Sequence, residues 1–270
     1  VLSIILIHGL FGAPQMGADG AGAGTTLSLL VALALWIKAT LGERSLHGVL
    51  HAWPPMTHYL TLLKLAVPHS FQQLWFAAGY AMLFWILGQI DAASVAVGHV
   101  LVNLSLLLIL PGVGLGLAAM SLVGQALGSG EHEEAHRWGW DTVRVALPCL
   151  LLLGLPLWVA PQSVLGLFLH RPPLIELGLL PLQMTAAMIV LDCTAIVLAQ
   201  ALLGAGAHRT VMLATLSLQW LIFLPAAWWW GVHQEGGLVA IWAIQLAYRL
   251  LNSLVFGLIW QRRAWQVLRL

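Results

Sequence analysis

Asp192 stands alone in a long apolar run: no other Asp, Glu, Lys or Arg lies between Glu176 and Arg209. An ionised carboxylate near the middle of a bilayer costs roughly 2.5–3.5 kcal/mol on insertion scales, so a residue of this kind usually has a use. Two uses fit. The carboxylate can hold a coupling cation or proton in alternation with a cationic substrate, or it can form a structural ion pair with Arg249, a base at similar depth in the last apolar run. The two are compatible, because a cation that displaces Arg249 would itself act as a switch.

The remaining candidates are neutral. Gln72 and Gln73 follow Pro68 by about one turn and offer oxygen ligands that cannot titrate, while Asn103 and Gln219 have the same choice between binding a ligand and bridging neighbouring helices. Pro111, with Gly112, Gly114 and Gly116, removes a backbone hydrogen bond inside an apolar stretch, and the expectation is either a hinge or a fixed kink with close helix packing. His69 and His99 have no Cys, Asp or Glu at ligand spacing, so no metal site is expected. The glycines between 124 and 130 lack the Gly-Lys-Ser/Thr of a phosphate loop. No Gly-x-Ser-x-Gly or His-Glu-x-x-His occurs, and Asp192 has no second acid at its depth, so the chain reads as no enzyme and as needing no cofactor beyond a coupling Na+ or H+.

The elements that must position these groups follow from composition. With 60% hydrophobic and 8% charged residues, the chain is an integral membrane protein, and its long apolar runs predict helices, not the short alternating strands of a barrel. Cys149 and Cys193 both fall in apolar spans and read as small hydrophobes. Spans are expected at about 21–41, 62–87, 92–130, 138–160, 174–203, 210–230 and 237–260. Residues 1–12 are too short to span and read as the tail of a helix whose beginning is missing. Residues 42–61 form a polar connector in which Leu46, Val49, Leu50 and Trp53 suit a short interfacial helix.

The 92–130 stretch decides the sidedness. As one helix it would be roughly 58 Å long, against about 30 Å of hydrocarbon. If it is a single span, Lys38, Arg44, Lys64, Arg137, Arg144, Arg209, Arg262, Arg263 and Arg269 share one face, with Arg171 opposite and Arg249 mid-span. A hairpin at Pro111 would instead divide these charges nearly evenly. Basic residues collect on the cytoplasmic side, so the expectation is one long helix, seven full spans plus a remnant, and a cytoplasmic C-terminus. Residues 17–36 and 237–256 both begin with Gly after a polar turn and run apolar, a weak internal repeat that suits two six-helix lobes.

Several motifs carry a family resemblance. Gly88-Gln89-Ile90-Asp91-Ala92-Ala93 leading to Asn103, then Pro111-Gly112-Val113-Gly114, then Leu122-Val123-Gly124-Gln125-Ala126-Leu127-Gly128-Ser129-Gly130 resemble the second lobe of MATE (multidrug and toxin extrusion) transporters. Asp192, with Gly204 twelve positions on and Arg209-Thr210 after it, is similar to the family's tenth helix. The resemblance covers the whole chain. It implies an all-α, MATE-like six-helix C-terminal lobe plus the last helix or so of the N-terminal lobe. The domains would be 1–41 (end of the first lobe), 42–61 (cytoplasmic linker), 62–260 (C-terminal lobe) and 261–270 (basic cytoplasmic tail).

The resemblance implies an antiporter of the bacterial inner membrane that exports cationic, partly hydrophobic compounds in exchange for Na+ or H+. Its implied partners are those compounds, the lipid bilayer and the missing N-terminal lobe, in the same chain or another. Three departures stand out: no Glu follows Pro68, Leu203 occupies a position where an Arg is common, and the first lobe is lacking. Two alternatives remain at this point, a flippase for lipid-linked precursors of related plan and a half-transporter remnant that transports nothing.

Overall fold

A computed structural model describes residues 5–7, 16–42 and 56–267 of the 270. The described residues are helical and include no strand. We label the helices α1 (Gly17–Gly42), α2 (Met56–Gly88), α3 (Ala92–Gly128), α4 (His132–Val159), α5 (Pro161–Gly166), α6 (Pro172–Gly204), α7 (His208–His233) and α8 (Gly237–Gln261), followed by a short 3-10 turn, Ala264–Val267. Six of them, all but α2 and the short α5, are long and apolar enough to cross a membrane. Seven full spans were expected. α2, with 33 residues, has the length of the seventh; Lys64, His69, Gln72 and Gln73 lower its apolar character, and its place as a span follows from that length and from the one-sided basic residues. The remnant helix within 1–12 and the interfacial helix at 46–53 fall largely or wholly outside the described residues.

The chain divides into two compact units, 1–61 and 62–270. In the first, α1 exposes apolar side chains from Leu27 to Ile37, and the Met16 N–H donates to the Leu6 carbonyl.

The second unit is built around α6, which packs against α3, α4 and α8. More than half of its most apolar window is buried, against a fifth to a third for α3, α4, α7 and α8. Small residues allow this approach, since lipid gives helices no hydrophobic drive to associate and close backbone packing must supply it. A Cβ at position 116 would come 2.8 Å from Gln200 Cγ, and one at position 204 would collide with the Met120 carbonyl. One at 112 would press on Leu150 of α4 at 3.1 Å, whereas one at 114 would meet nothing within 4 Å.

The long stretch is one helix, as the charge distribution required: α3 runs 37 residues with Pro111 inside it. Asp91 caps its start by accepting from the Ser94 N–H at 2.6 Å. Its end is a Schellman-type turn, in which Gly130 takes a left-handed φ of +81° and the Glu131 N–H reaches back to the Ala126 carbonyl at 2.8 Å. The same device ends α6, through Gly206 at φ +79° and the bond from Ala207 N–H to the Leu202 carbonyl.

α7 departs from a regular helix twice, with π-helical turns at Leu218–Phe223 and Trp229–His233. Pro225 explains the first: it cannot donate to the carbonyl one turn back and its ring crowds that carbonyl, so the preceding turn widens. At the far end of α8, Trp260 and Trp265 stack 4.1 Å apart and His136 of α4 stacks on Trp260, while Arg263 pairs with Glu133.

Candidate functional site

Two side-chain bonds join α6 to α8. Trp242 Nε1 donates to Thr185 Oγ1 at 2.9 Å, and the threonine hydroxyl donates in turn to the Pro181 carbonyl at 2.9 Å. Arg249 Nη1 donates to Asp192 Oδ1 at 2.9 Å. Each bond joins residues 57 apart, and the two lie seven positions apart on both helices. Seven residues are about two helical turns, so α6 and α8 run parallel and in matched register, and the pair shares a face with the neutral bond.

Asp192 is 2% exposed, and the Arg249 side chain 12%. Neither charge would be stable there alone. The pair leaves a neutral site in which either charge becomes costly the moment its partner is drawn away. The titratable groups around it are Tyr80 from α2, Cys193 from α6 and Tyr248 from α8. The Arg249 guanidinium lies 5.7 Å from the Tyr248 ring centroid, and the Tyr80 side chain is within hydrogen-bonding reach of it.

Beside the pair lies a cavity of about 20 Å³, whose walls include Gly79, Tyr80, Gln219, Gln245 and Arg249. Gln219 enters it from the first π-turn of α7 beside Gly79, where an added Cβ would force the Gln219 amide to shift. Its Nε2 donates to the Phe76 carbonyl at 3.4 Å. Its Oε1 is buried without a partner, and so are Gln245 Oε1, Asn252 Oδ1 and Arg249 Nε.

Of the six binding candidates from the sequence, Asp192 and Arg249 pair and Gln219 lines the cavity beside them. Gln72 is half-buried and Gln73 exposed, and neither lines the cavity beside the pair. Asn103 is exposed, donates to the His99 carbonyl at 2.8 Å, and with His99 and Phe168 lines a separate cavity of about 340 Å³. Among the described residues no cluster of three His, Cys, Asp or Glu could hold a metal ion. Sequence reasoning passed over Tyr80 and Gln245. For Gln245 a signal existed: Gln245, Arg249 and Asn252 recur at i, i+4 and i+7 on α8, one polar stripe on an apolar helix.

Residues 68–229, more than half of the chain, match the family model described as MatE. The chain belongs to the MatE family. Curated relatives include the uncharacterized transporter YisQ of Bacillus subtilis, 24% identical over 268 residues, covering 97% of this chain and 58% of the relative. The probable multidrug resistance protein NorM of Aromatoleum aromaticum is 27% identical over 265 residues, covering 95% and 57%. The chain therefore spans a little over half the length of these relatives. Among solved structures, an outward-facing multidrug resistance MATE transporter of the MOP superfamily superposes with a TM-score of 0.86 at 19% identity, covering 99% of this chain and 61% of that one. A MATE structure in complex with MaL6 gives 0.84 at 21% identity, covering 97% and 60%. This likeness establishes the fold: an all-α membrane protein with the MATE arrangement of helices.

Proposed function

We propose that this chain is the C-terminal lobe, with the adjoining last helix of the first lobe, of a secondary antiporter that exports cationic or amphiphilic small molecules in exchange for Na+ or H+. The coarse reading, a transporter of the MatE family, rests on the family match; the named relatives are transporters and multidrug resistance proteins. The observation that carries the finer reading is the buried Asp192–Arg249 pair. The domains then run 1–41, 42–61, 62–260 and 261–270. The C-terminus is cytoplasmic, because nine of the eleven basic residues collect on that face when α3 is a single span.

The pair works as an internal competition. With no cation bound, Arg249 neutralises Asp192. A coupling Na+, a proton or the ammonium of a substrate takes the carboxylate instead, and Arg249 must let go. Two cations cannot share one carboxylate at this depth, so loading from one side of the membrane and release to the other follow from which cation holds Asp192 in each conformation. The missing first lobe supplies the opposite wall of the pathway, and Pro111, Gly112 and Gly114 are the proposed joint in α3. Gln72, Gln73 and Asn103 would meet the substrate away from the charged pair.

In the complete two-lobe protein, Asp192→Asn should abolish efflux of a cationic dye from cells while leaving the amount of protein in the membrane unchanged. Undiminished efflux would take Asp192 out of the mechanism and move coupling to the other lobe.

A further inference from the structure

Four buried polar atoms without partners lie within two turns of one another along α8 or face it from α7: Gln219 Oε1, Gln245 Oε1, Asn252 Oδ1 and Arg249 Nε. Leaving such groups unpaired is costly, and packed proteins rarely tolerate several together. Gln219 and Gln245 are only 5% and 6% exposed, so bulk water does not satisfy them. They line one cavity with Arg249, and its 20 Å³ has room for about one water molecule, far too little for a substrate. A bound inorganic cation is disfavoured there, because the guanidinium forms part of the wall.

The guanidinium already forms one wall of this small cavity, so it can reach the opposite wall by turning in place. Arginine carries five N–H donors and no acceptor, and here Nη1 reaches Asp192 while Nε has no partner. Lining the same cavity are Gln219 and Gln245, each with an unpartnered amide oxygen, and Tyr80 of α2. Gln245 stands one turn from Arg249 on the same face of α8, the i,i+4 spacing at which side chains meet.

We propose that Gln219 and Gln245 form a second seat for the Arg249 guanidinium, which already has Tyr80 beside it and turns toward their amide oxygens when Asp192 takes up a cation. Rotation about the side-chain bonds of arginine turns its donors from one carboxylate oxygen to two amide oxygens while the Tyr80 contact is kept, and the charge stays hydrogen-bonded throughout. This rests on the competition at Asp192 described above. It adds what that competition needs: a place for the displaced charge, so that Gln219 and Gln245 act as positioning residues that set how tightly the cation binds.

The test uses the complete protein in lipid nanodiscs and measures the concentration of Na+, or failing Na+ binding of H+, at which half of Asp192 is occupied, read from the infrared band of its isotope-labelled carboxyl group. Gln245→Leu should raise that midpoint concentration roughly tenfold, the worth of about one hydrogen bond to a charged group. Gln245→Glu should lower it by a similar factor, because a carboxylate in the seat holds Arg249 there and frees Asp192. In an Arg249→Met background neither change should matter.

Equal shifts in both backgrounds, or shifts in the same direction from Leu and Glu, would overturn the seat and leave the cavity as the site of a resident water only. No shift in the presence of Arg249 would also overturn it. Cation binding that survives Asp192→Asn would be a different failure: it would remove the competition at Asp192, and the seat with it.

Discussion

The two bonds between α6 and α8 are matched in register and opposite in kind. At Trp242–Thr185 the indole donates to a hydroxyl that donates onward to the Pro181 carbonyl, so every group has one partner and the chain of bonds closes on the backbone. At Arg249–Asp192, seven residues on, the bond is ionic and the guanidinium keeps an unpartnered donor beside unpartnered amide oxygens. A neutral, closed bond fixes register cheaply. A charged bond with spare partners nearby fixes less and permits exchange. The same pair of helices is thus held at one level and adjustable at another.

That contrast can be broken most severely at Arg249. Arg249→Met leaves Asp192 buried without its partner and should cost about 3–5 kcal/mol of stability, measured as resistance to unfolding in lipid nanodiscs. The double change Asp192→Leu with Arg249→Met should recover most of that loss, since apolar replacement of a buried pair is often neutral or better, while efflux by the complete protein stays abolished. Recovery of efflux along with stability would make the pair purely structural. At the neutral bond, Thr185→Val strands the Trp242 N–H and should cost about 1–3 kcal/mol, with efflux per folded molecule retained. A loss of efflux there would erase the distinction between the two levels. The smallest effect is expected at Gly114, where an added Cβ meets nothing: Gly114→Ala should stabilise α3 by about 0.5–1 kcal/mol. If efflux falls while stability rises, Gly114 serves as a joint; if both hold or rise, the glycines serve packing alone.

Much of this was legible in the sequence. The absence of charge from residue 92 to 130 and the one-sided basic residues required α3 to be a single helix, because a hairpin would have placed the charges against the membrane's own asymmetry. Asp192 and Arg249 were identifiable as a possible pair from depth alone, since nothing else near either could balance its charge. Gln72 and Gln73 looked equally eligible, and they share the side of α2 that carries Gly79 and Tyr80, seven positions on; they miss the cavity because they lie about two turns, roughly 10 Å, along the helix from it. The π-turns of α7 were not legible, because the shift in hydrogen bonding has no composition of its own; Pro225 was its one trace. The notch at Gly79 could not be foreseen without knowing that Gln219 of α7 would arrive opposite it.

The position of Gln245, one turn along α8 from Arg249, has a consequence for the membrane potential. One turn is about 5–6 Å of axis, roughly a fifth of a 30 Å hydrocarbon core. Carrying a full charge across 100 mV involves about 2.3 kcal/mol, so moving the guanidinium from Asp192 to its second seat crosses at most about 0.5 kcal/mol of that field. Voltage therefore leaves the choice of seat almost untouched, and the occupant of Asp192 decides it.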